Sequence, residues 1–229
     1  MHDDTRTYQA LARLKAQGFT PPAILDIGAY DGDWARGARR LFPEAFILML
    51  DALTEKGPRL GNVCRDIGNA SHLIRMIGPR DEAAASFFVV NAPVGEALVQ
   101  TGSSRFPEES SAPKEQRTLP QLSLATILRG ARTPFRLAKL DIQGSELDAL
   151  SGAGPALDQI EVIMMEVGIL PYNRGAPLIT DVVSQLAAWG FVVGDIGDEH
   201  RHWQDQSMVQ LDMIFLRETS KLRRQPPYF

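Results

Sequence analysis

Four acidic residues of this 229-residue chain stand in or at the ends of short apolar runs, where a carboxylate is costly unless solvated, paired or used. They are Asp26 in Ile24-Leu25-Asp26-Ile27, Asp51 after Phe46 to Leu50, Asp141 after Leu137-Ala138-Lys139-Leu140, and Glu166 after Val162-Ile163-Met164-Met165. The first run breaks into Gly28-Ala29-Tyr30-Asp31-Gly32-Asp33 and then opens a helix. A strand, a glycine turn, a helix and an acid closing the next strand make a nucleoside-cofactor site. A dinucleotide site needs a second glycine two residues after the first, so that the backbone can approach a pyrophosphate. Tyr30 stands there instead. Asp31 and Asp33 add negative charge at the helix start, which suits the helix dipole and repels phosphate. A cofactor bearing an ammonium and a sulfonium, S-adenosylmethionine, tolerates those carboxylates, and Asp51 is placed to accept both ribose hydroxyls. The candidate cofactor contacts are therefore Asp26, Gly28, Ala29, Tyr30, Asp31, Gly32, Asp51, Ala52 and Asp141. The competing readings are a βα turn whose aspartates only cap the helix, a nicotinamide site, and a catalytically silent cofactor-binding module.

Methyl transfer from a sulfonium is an in-line displacement, so orientation supplies much of its acceleration. A hydroxyl acceptor must also lose a proton, and a positioned base contributes about 10²–10⁴ in rate. Asp141 is the first candidate for base or acceptor orienter, followed by Glu146 and Glu166. His200 and His202 follow the penultimate strand and have the pKa better suited to a base near neutrality. The same two residues also read as a solvated hairpin tip. Period-2 alternation puts Lys139 and Asp141 on one face and predicts a pair, which could equally do no more than order the turn. Asp141 with Glu166 could hold a magnesium ion through oxygen ligands, although no other residue points to a metal.

These residues need elements to position them. Helical spacing of Tyr8, Leu11, Ala12 and Leu14 predicts a helix from about Thr5 to Gln17, packed beside the first strand. A second helix spans Trp34 to Leu41, and a third spans about Thr54 to Val63 across Gly57-Pro58. Strands are predicted at Ile24–Ile27, Phe46–Leu50, His72–Ile77, Ser86–Val90, Leu137–Ile142, Glu161–Val167, Phe191–Ile196 and Leu211–Arg217. A helix starts near Ser145, where Ser145 and Asp148 have capping-box-like spacing, and another covers Leu178 to Trp189. Residues Gly95 to Gln121 are polar and proline-bearing, and read as a mobile substrate-covering loop or as disorder. Alternating strands and helices imply an α/β fold with a doubly wound, mostly parallel sheet, ending in an antiparallel edge. The length fits one domain: an N-terminal helix within 1–20, a core over 22–217, and a loose basic tail over 218–229.

The bulk properties narrow the partners. With 44% hydrophobic and 23% charged residues the chain reads as a globular protein, and a net charge of -4 gives no electrostatic reason to bind nucleic acid. The single cysteine, Cys64, excludes an internal disulfide and fits a reducing cytoplasm. The polar start, Met1-His2-Asp3-Asp4, is unlike a signal peptide, and no apolar run reaches the roughly 20 residues that span a bilayer. A cytoplasmic, membrane-free protein is expected.

Lys139-Leu140-Asp141-Ile142-Gln143-Gly144-Ser145-Glu146, followed by an apolar stretch to Gly152-Ala153, resembles the signature of the FkbM-family methyltransferases. The glycine turn Asp26 to Gly32 resembles that family's first motif, Gly102-Ser103-Ser104 its serine-bearing central loop, and Gln210 to Phe215 its closing strand. The matches run in order over Pro22 to Arg217. The resemblance implies a class I, Rossmann-like S-adenosylmethionine fold and methylation of a hydroxyl on a sugar, glycan or other small metabolite. Two positions depart from it: Asp51-Ala52 stands where many members carry Glu-Pro, and Tyr30 stands where asparagine is common.

Overall fold

The computed structural model describes residues 5–94 and 97–223. In chain order the elements are α1 (Arg6–Ala16), β1 (Ala23–Ile27), α2 (Asp33–Leu41), β2 (Phe46–Asp51), α3 (Gly57–Ile67), β3 (Ala70–Ile74), β4 (Met76–Gly78), β5 (Glu82–Val90), β6 (Ala92–Val94) and β7 (Ala97–Val99). There follow β8 (Lys114–Ser123), α4 (Leu124–Gly130), β9 (Phe135–Leu140), α5 (Glu146–Ser151), β10 (Val162–Gly168), α6 (Ile179–Ala188), β11 (Phe191–Arg201) and β12 (Met208–Arg217). The main sheet has seven strands in the order β11-β12-β10-β9-β1-β2-β3.

All five residues of β1 are buried, as a central strand covered on both faces requires. Their side chains alternate between two cores. Leu25 and Ile27 join Ala138, Leu140, Met165 and Leu186 on one face. Ile24 joins Leu11, Ala38, Ile47, Leu60 and Ile214 on the other. This is the doubly wound arrangement that the alternation of strands and helices implies, and it carries ligands at the carboxyl ends of its parallel strands. The antiparallel strand is β12, which pairs with both β10 and β11. It lies one place in from the edge, so the edge strand β11 runs parallel to β10.

The α1 helix is capped by the Thr5 side chain and packs chiefly against β11 and α2, where the sequence suggested β1. A Cβ on Gly37 would lie 2.1 Å from Tyr8 Oη, so this glycine lets the two helices meet. The predicted strand His72–Ile77 is two strands, divided at Arg75, whose N–H donates to Asp51 O at 2.8 Å. Helix α3 starts at Gly57, with Pro58 in its first turn, where a missing N–H costs nothing.

The expected structureless stretch from Gly95 to Gln121 is overturned in its second half. Residues 95 and 96 lie outside the described residues, but β8 pairs in parallel with β4 and antiparallel with β5 to make a second, three-stranded sheet. Most of β8 faces solvent on at least one side, which explains its polar sequence. Pro120 falls beside the irregularity in the β5–β8 register, the position in which a sheet tolerates a residue without an N–H. Of the predicted loose tail, Leu222 is buried in the α1-side core, and residues 224–229 lie outside the described residues, as do residues 1–4. No helix among the described residues is long and apolar enough to cross a membrane.

Candidate active site

A cleft of about 680 Å³ opens at the carboxyl ends of β1, β2, β9 and β10. The volume is in the range of small-molecule sites. One wall is the glycine turn. Gly28 N and Ala29 N donate to Leu50 O at 2.9 and 3.0 Å, which ties the turn to the end of β2. Tyr30 takes a positive φ of 49° and donates its N–H to Asp51 Oδ2 at 2.8 Å, while Leu53 N donates to Oδ1 at 2.9 Å. Burial raises the Asp51 carboxyl, opposed by these two N–H groups and by Lys56 and Lys139. Asp51 is thus fixed at the lip of the cleft with Ala52 beside it.

Asp31 is not a bare negative charge. Lys56 Nζ lies 3.2 Å from its Oδ1 and Arg59 Nε 3.4 Å from its Oδ2. The same Lys56 ammonium sits 3.3 Å from the centroid of the Tyr30 ring, a cation–π contact that anchors this side chain. Of the two aspartates at the start of α2, Asp31 is therefore neutralised, which leaves Asp33 and the Tyr30 side chain to disfavour a phosphate there. Neither aspartate caps α2: the N-cap is Gly32 at φ 77°, with no side-chain hydrogen bond.

The opposite wall is the turn after β9. Asp141 N donates to Ile27 O at 3.0 Å, and a Cβ on Gly28 would sit 1.9 Å from Asp141 O, so only glycine lets the two turns abut. Lys139 joins them, with its Nζ 2.9 Å from Gly28 O, 3.3 Å from Asp26 Oδ1 and 3.5 Å from Asp141 Oδ2. Burial works against its charge, yet Asp26 and Asp141 hold the ammonium above the ordinary lysine range. The Lys139–Asp141 pair expected from alternation is present. Asp26 is fully buried and serves as a counter-ion, so it meets the cleft only through Lys139.

Glu166 lies deeper in the same wall. Its Oε2 accepts from Gln143 Nε2 at 2.6 Å and from Gln210 Nε2 at 2.8 Å, and His200 Nε2 stands 3.6 Å from Oε1. Burial, then repulsion from Asp141, Glu146 and Asp212, raises its carboxyl well above the usual range. Gln143 Nε2 also donates to Asp141 Oδ1 at 3.0 Å. An amide therefore bridges the two carboxylates that the sequence offers as magnesium ligands, and no group of three or more metal-ligating side chains occurs among the described residues. Gln143 reaches this position from a backbone φ of 53°, a conformation few non-glycine residues adopt.

Glu146 is not brought to the cleft. It is buried beneath the turn, accepts from Ile142 N at 2.9 Å, and burial pushes its carboxyl up to about 7. The expected capping box also fails. Ser145 Oγ makes no cap bond and instead pairs with Ser104 Oγ at 3.2 Å, while Asp148 pairs with Arg105. His200 lines the cleft from β11, and His202 lines it from the following turn, with Nδ1 3.2 Å from Asp205 Oδ1. The exposed Trp203 completes that rim.

The segment expected to cover the substrate does line the cleft, through Gln100 to Ser103 and Arg105. Ser104 anchors it. Its buried hydroxyl donates to the carbonyls of the Asp141 turn, 2.7 Å from Gln143 O, and accepts from Phe106 N at 3.1 Å. The cleft residues that the sequence does not mark as candidates include Gln143, Gln210, Trp203 and Asp212. Asp212 carried a readable signal, a lone acid inside the apolar run Leu211 to Leu216. The two glutamines fall inside the motifs that carry the family resemblance, but an amide has no charge to mark it as a site residue.

No curated protein sequence matches the chain. Similar folds include a precorrin-6y C5,15-methyltransferase from Geobacter metallireducens, with 13% identity, a TM-score of 0.49, and 91% of this chain and 85% of that chain covered. An rRNA methylase from Streptococcus thermophilus has 10% identity and a TM-score of 0.48, covering 95% of this chain and 99% of that one. The 1,6-didemethyltoxoflavin-N1-methyltransferase of Burkholderia thailandensis, solved with S-adenosylhomocysteine, has 13% identity and a TM-score of 0.48, covering 94% and 79%. The family model described as "Methyltransferase FkbM domain" matches residues 26–193, from the glycine turn through β10 and into β11. That match separates a methyltransferase from a nicotinamide-dependent oxidoreductase, and the chain belongs to the FkbM methyltransferase family.

Proposed function

We propose that this protein uses S-adenosylmethionine to methylate a hydroxyl group on a sugar, glycan or other small metabolite. The observation that carries this reading is Asp51, a half-buried carboxylate held at the end of β2 by Tyr30 N and Leu53 N. Each of its oxygens keeps a further lone pair for a ribose hydroxyl. The donor set fits the cofactor. Ala29, Tyr30, Asp51 and Ala52 would hold the adenosine part. Asp141, half-exposed at the facing turn, suits a sulfonium and an ammonium. When bound, the cofactor supplies an electrophilic methyl group. The chain's own task is to orient the acceptor in line, with Asp141 nearest the reacting centre and Glu166 and His200 behind it. Acids along both turns also weigh against a silent binding module.

Calorimetric titration of the full chain with S-adenosylmethionine and S-adenosylhomocysteine tests the cofactor, and a folded protein that binds neither overturns it. A panel of methyl glycosides, glycans and polyketide-like alcohols, followed by release of S-adenosylhomocysteine, tests the acceptor. Methylation of amines but not alcohols would refute the oxygen specificity. Asp141→Asn is expected to lower turnover by more than it weakens cofactor binding.

A further inference from the structure

One cleft carboxylate comes from the antiparallel strand β12. Asp212 interrupts the apolar run of β12 and stands opposite Glu166 in the β10–β12 register. Its Oδ2 accepts a 2.7 Å hydrogen bond from Thr7 Oγ1 of α1. That hydroxyl is itself held in place, since Asp198 N donates to Thr7 Oγ1 at 3.0 Å. The Asp198 carboxylate accepts from Arg6 N at 3.0 Å and Thr7 N at 3.4 Å, which pins the first turn of α1 to β11. Gly197 makes the approach possible, since a Cβ there would lie 2.3 Å from Thr7 Oγ1 and 2.9 Å from Asp212 Cβ. Segments from opposite ends of the chain thus converge on one carboxylate, whose Oδ1 accepts no hydrogen bond among the described residues.

We propose that Asp212 takes the proton of the acceptor hydroxyl, and that Thr7 is its positioning residue. This rests on the O-methylation reading. The acceptor oxygen bonds to the methyl carbon, the carbon–sulfur bond breaks with its electron pair staying on sulfur, and the hydroxyl proton passes to Asp212 and on to solvent. The rival carboxylates are more occupied. Asp141 is held by Gln143 and Lys139, and Glu166 by two amides with its side chain only 10% exposed. The charged groups facing Asp212 are Asp141, Lys139, Glu166, His200 and Asp198. Burial, with Asp141 and Asp198, pushes its carboxyl up to about 6 against the pull of Thr7 and His200, close to the range that serves a general base near neutrality.

The test combines NMR titration of the full chain labelled with carboxyl-¹³C aspartate, Asp212→Asn identifying the resonance, with turnover on the alcohols of the panel. Thr7→Val should move the Asp212 titration up by about one unit, because a hydrogen bond to the ionised form is lost, and Thr7→Ser should restore it. The acid limb of kcat/KM should move with it. Asp212→Asn should lower kcat about 100-fold or more and leave S-adenosylhomocysteine affinity unchanged. An Asp212 titration indifferent to Thr7→Val, or an Asp212→Asn enzyme retaining turnover within about tenfold, overturns the proposal. If the wild-type protein methylates none of the alcohols, the O-methylation reading has failed and the proposal falls with it. Should Asp212→Asn not fold, the Thr7→Val and Thr7→Ser titrations and pH profiles decide.

Discussion

Asp51 is a half-buried acid and Glu146 a buried one, and they differ in what surrounds them. Asp51 has two backbone donors and borders the cleft. Asp51→Asn keeps the shape and one acceptor oxygen, and should weaken S-adenosylhomocysteine binding roughly tenfold, read by calorimetry. Glu146 lies beneath the Asp141 turn, with its carboxyl raised from 4.5 to about 7. Between those values the folded protein binds more protons than the unfolded chain, so the Glu146 contribution is full below about pH 4.5 and is lost as pH rises through about 7. The loss amounts to about 3 kcal/mol. Glu146→Gln keeps an acceptor for Ile142 N and removes that slope. Urea unfolding at pH 5 and pH 8 should show the variant gaining stability relative to wild type at the higher pH. An equal difference at both would mean that Glu146 does not titrate there. Sequence spacing brought Glu146 into the same short list as Asp141, but the helix that starts at Glu146 turns its side chain under the loop and away from the cleft.

At the scale of elements, the site depends on turns locked to one another. The β1 and β9 turns meet at Gly28, and the segment between β7 and β8 is tied to the Asp141 turn through Ser104. Ser104→Ala leaves Phe106 N without its acceptor in a partly buried position and removes the donor to Gln143 O. The expected cost is about 1–3 kcal/mol of stability, read by thermal or denaturant unfolding, with an acceptor KM that rises more than cofactor affinity falls. The strands β1, β2, β9 and β10 were legible because each is an apolar run of the right length. The β8 strand was not legible, because a strand with a solvated face carries polar residues and reads as loop. The serine-bearing segment Gly102 to Ser104 could be picked out, but the carbonyls of the Asp141 turn that Ser104 binds lie 38 and 39 residues away and only folding brings them together.

Across the whole molecule, charge and topology act together. The net charge of -4 and the carboxylates Asp51, Asp141, Glu166 and Asp212 around one cleft oppose a phosphate backbone. A fluorescein-labelled single-stranded RNA should therefore bind more weakly than about 10⁻⁴ M at physiological salt, measured by polarisation, and micromolar binding would reopen an RNA acceptor. The sequence by itself determined the alternation of strands and helices, the glycine turn, and the acids at strand ends, because apolar periodicity and the cost of a buried carboxylate act locally. It also determined the family resemblance, since the signature residues are contiguous. Only the tertiary structure decided that Asp31 is neutralised by Lys56 and Arg59, that an amide bridges Asp141 and Glu166, and that Thr7 reaches Asp212. Those contacts join residues far apart in the chain, and their geometry is set by how helices and strands pack, which no local pattern encodes.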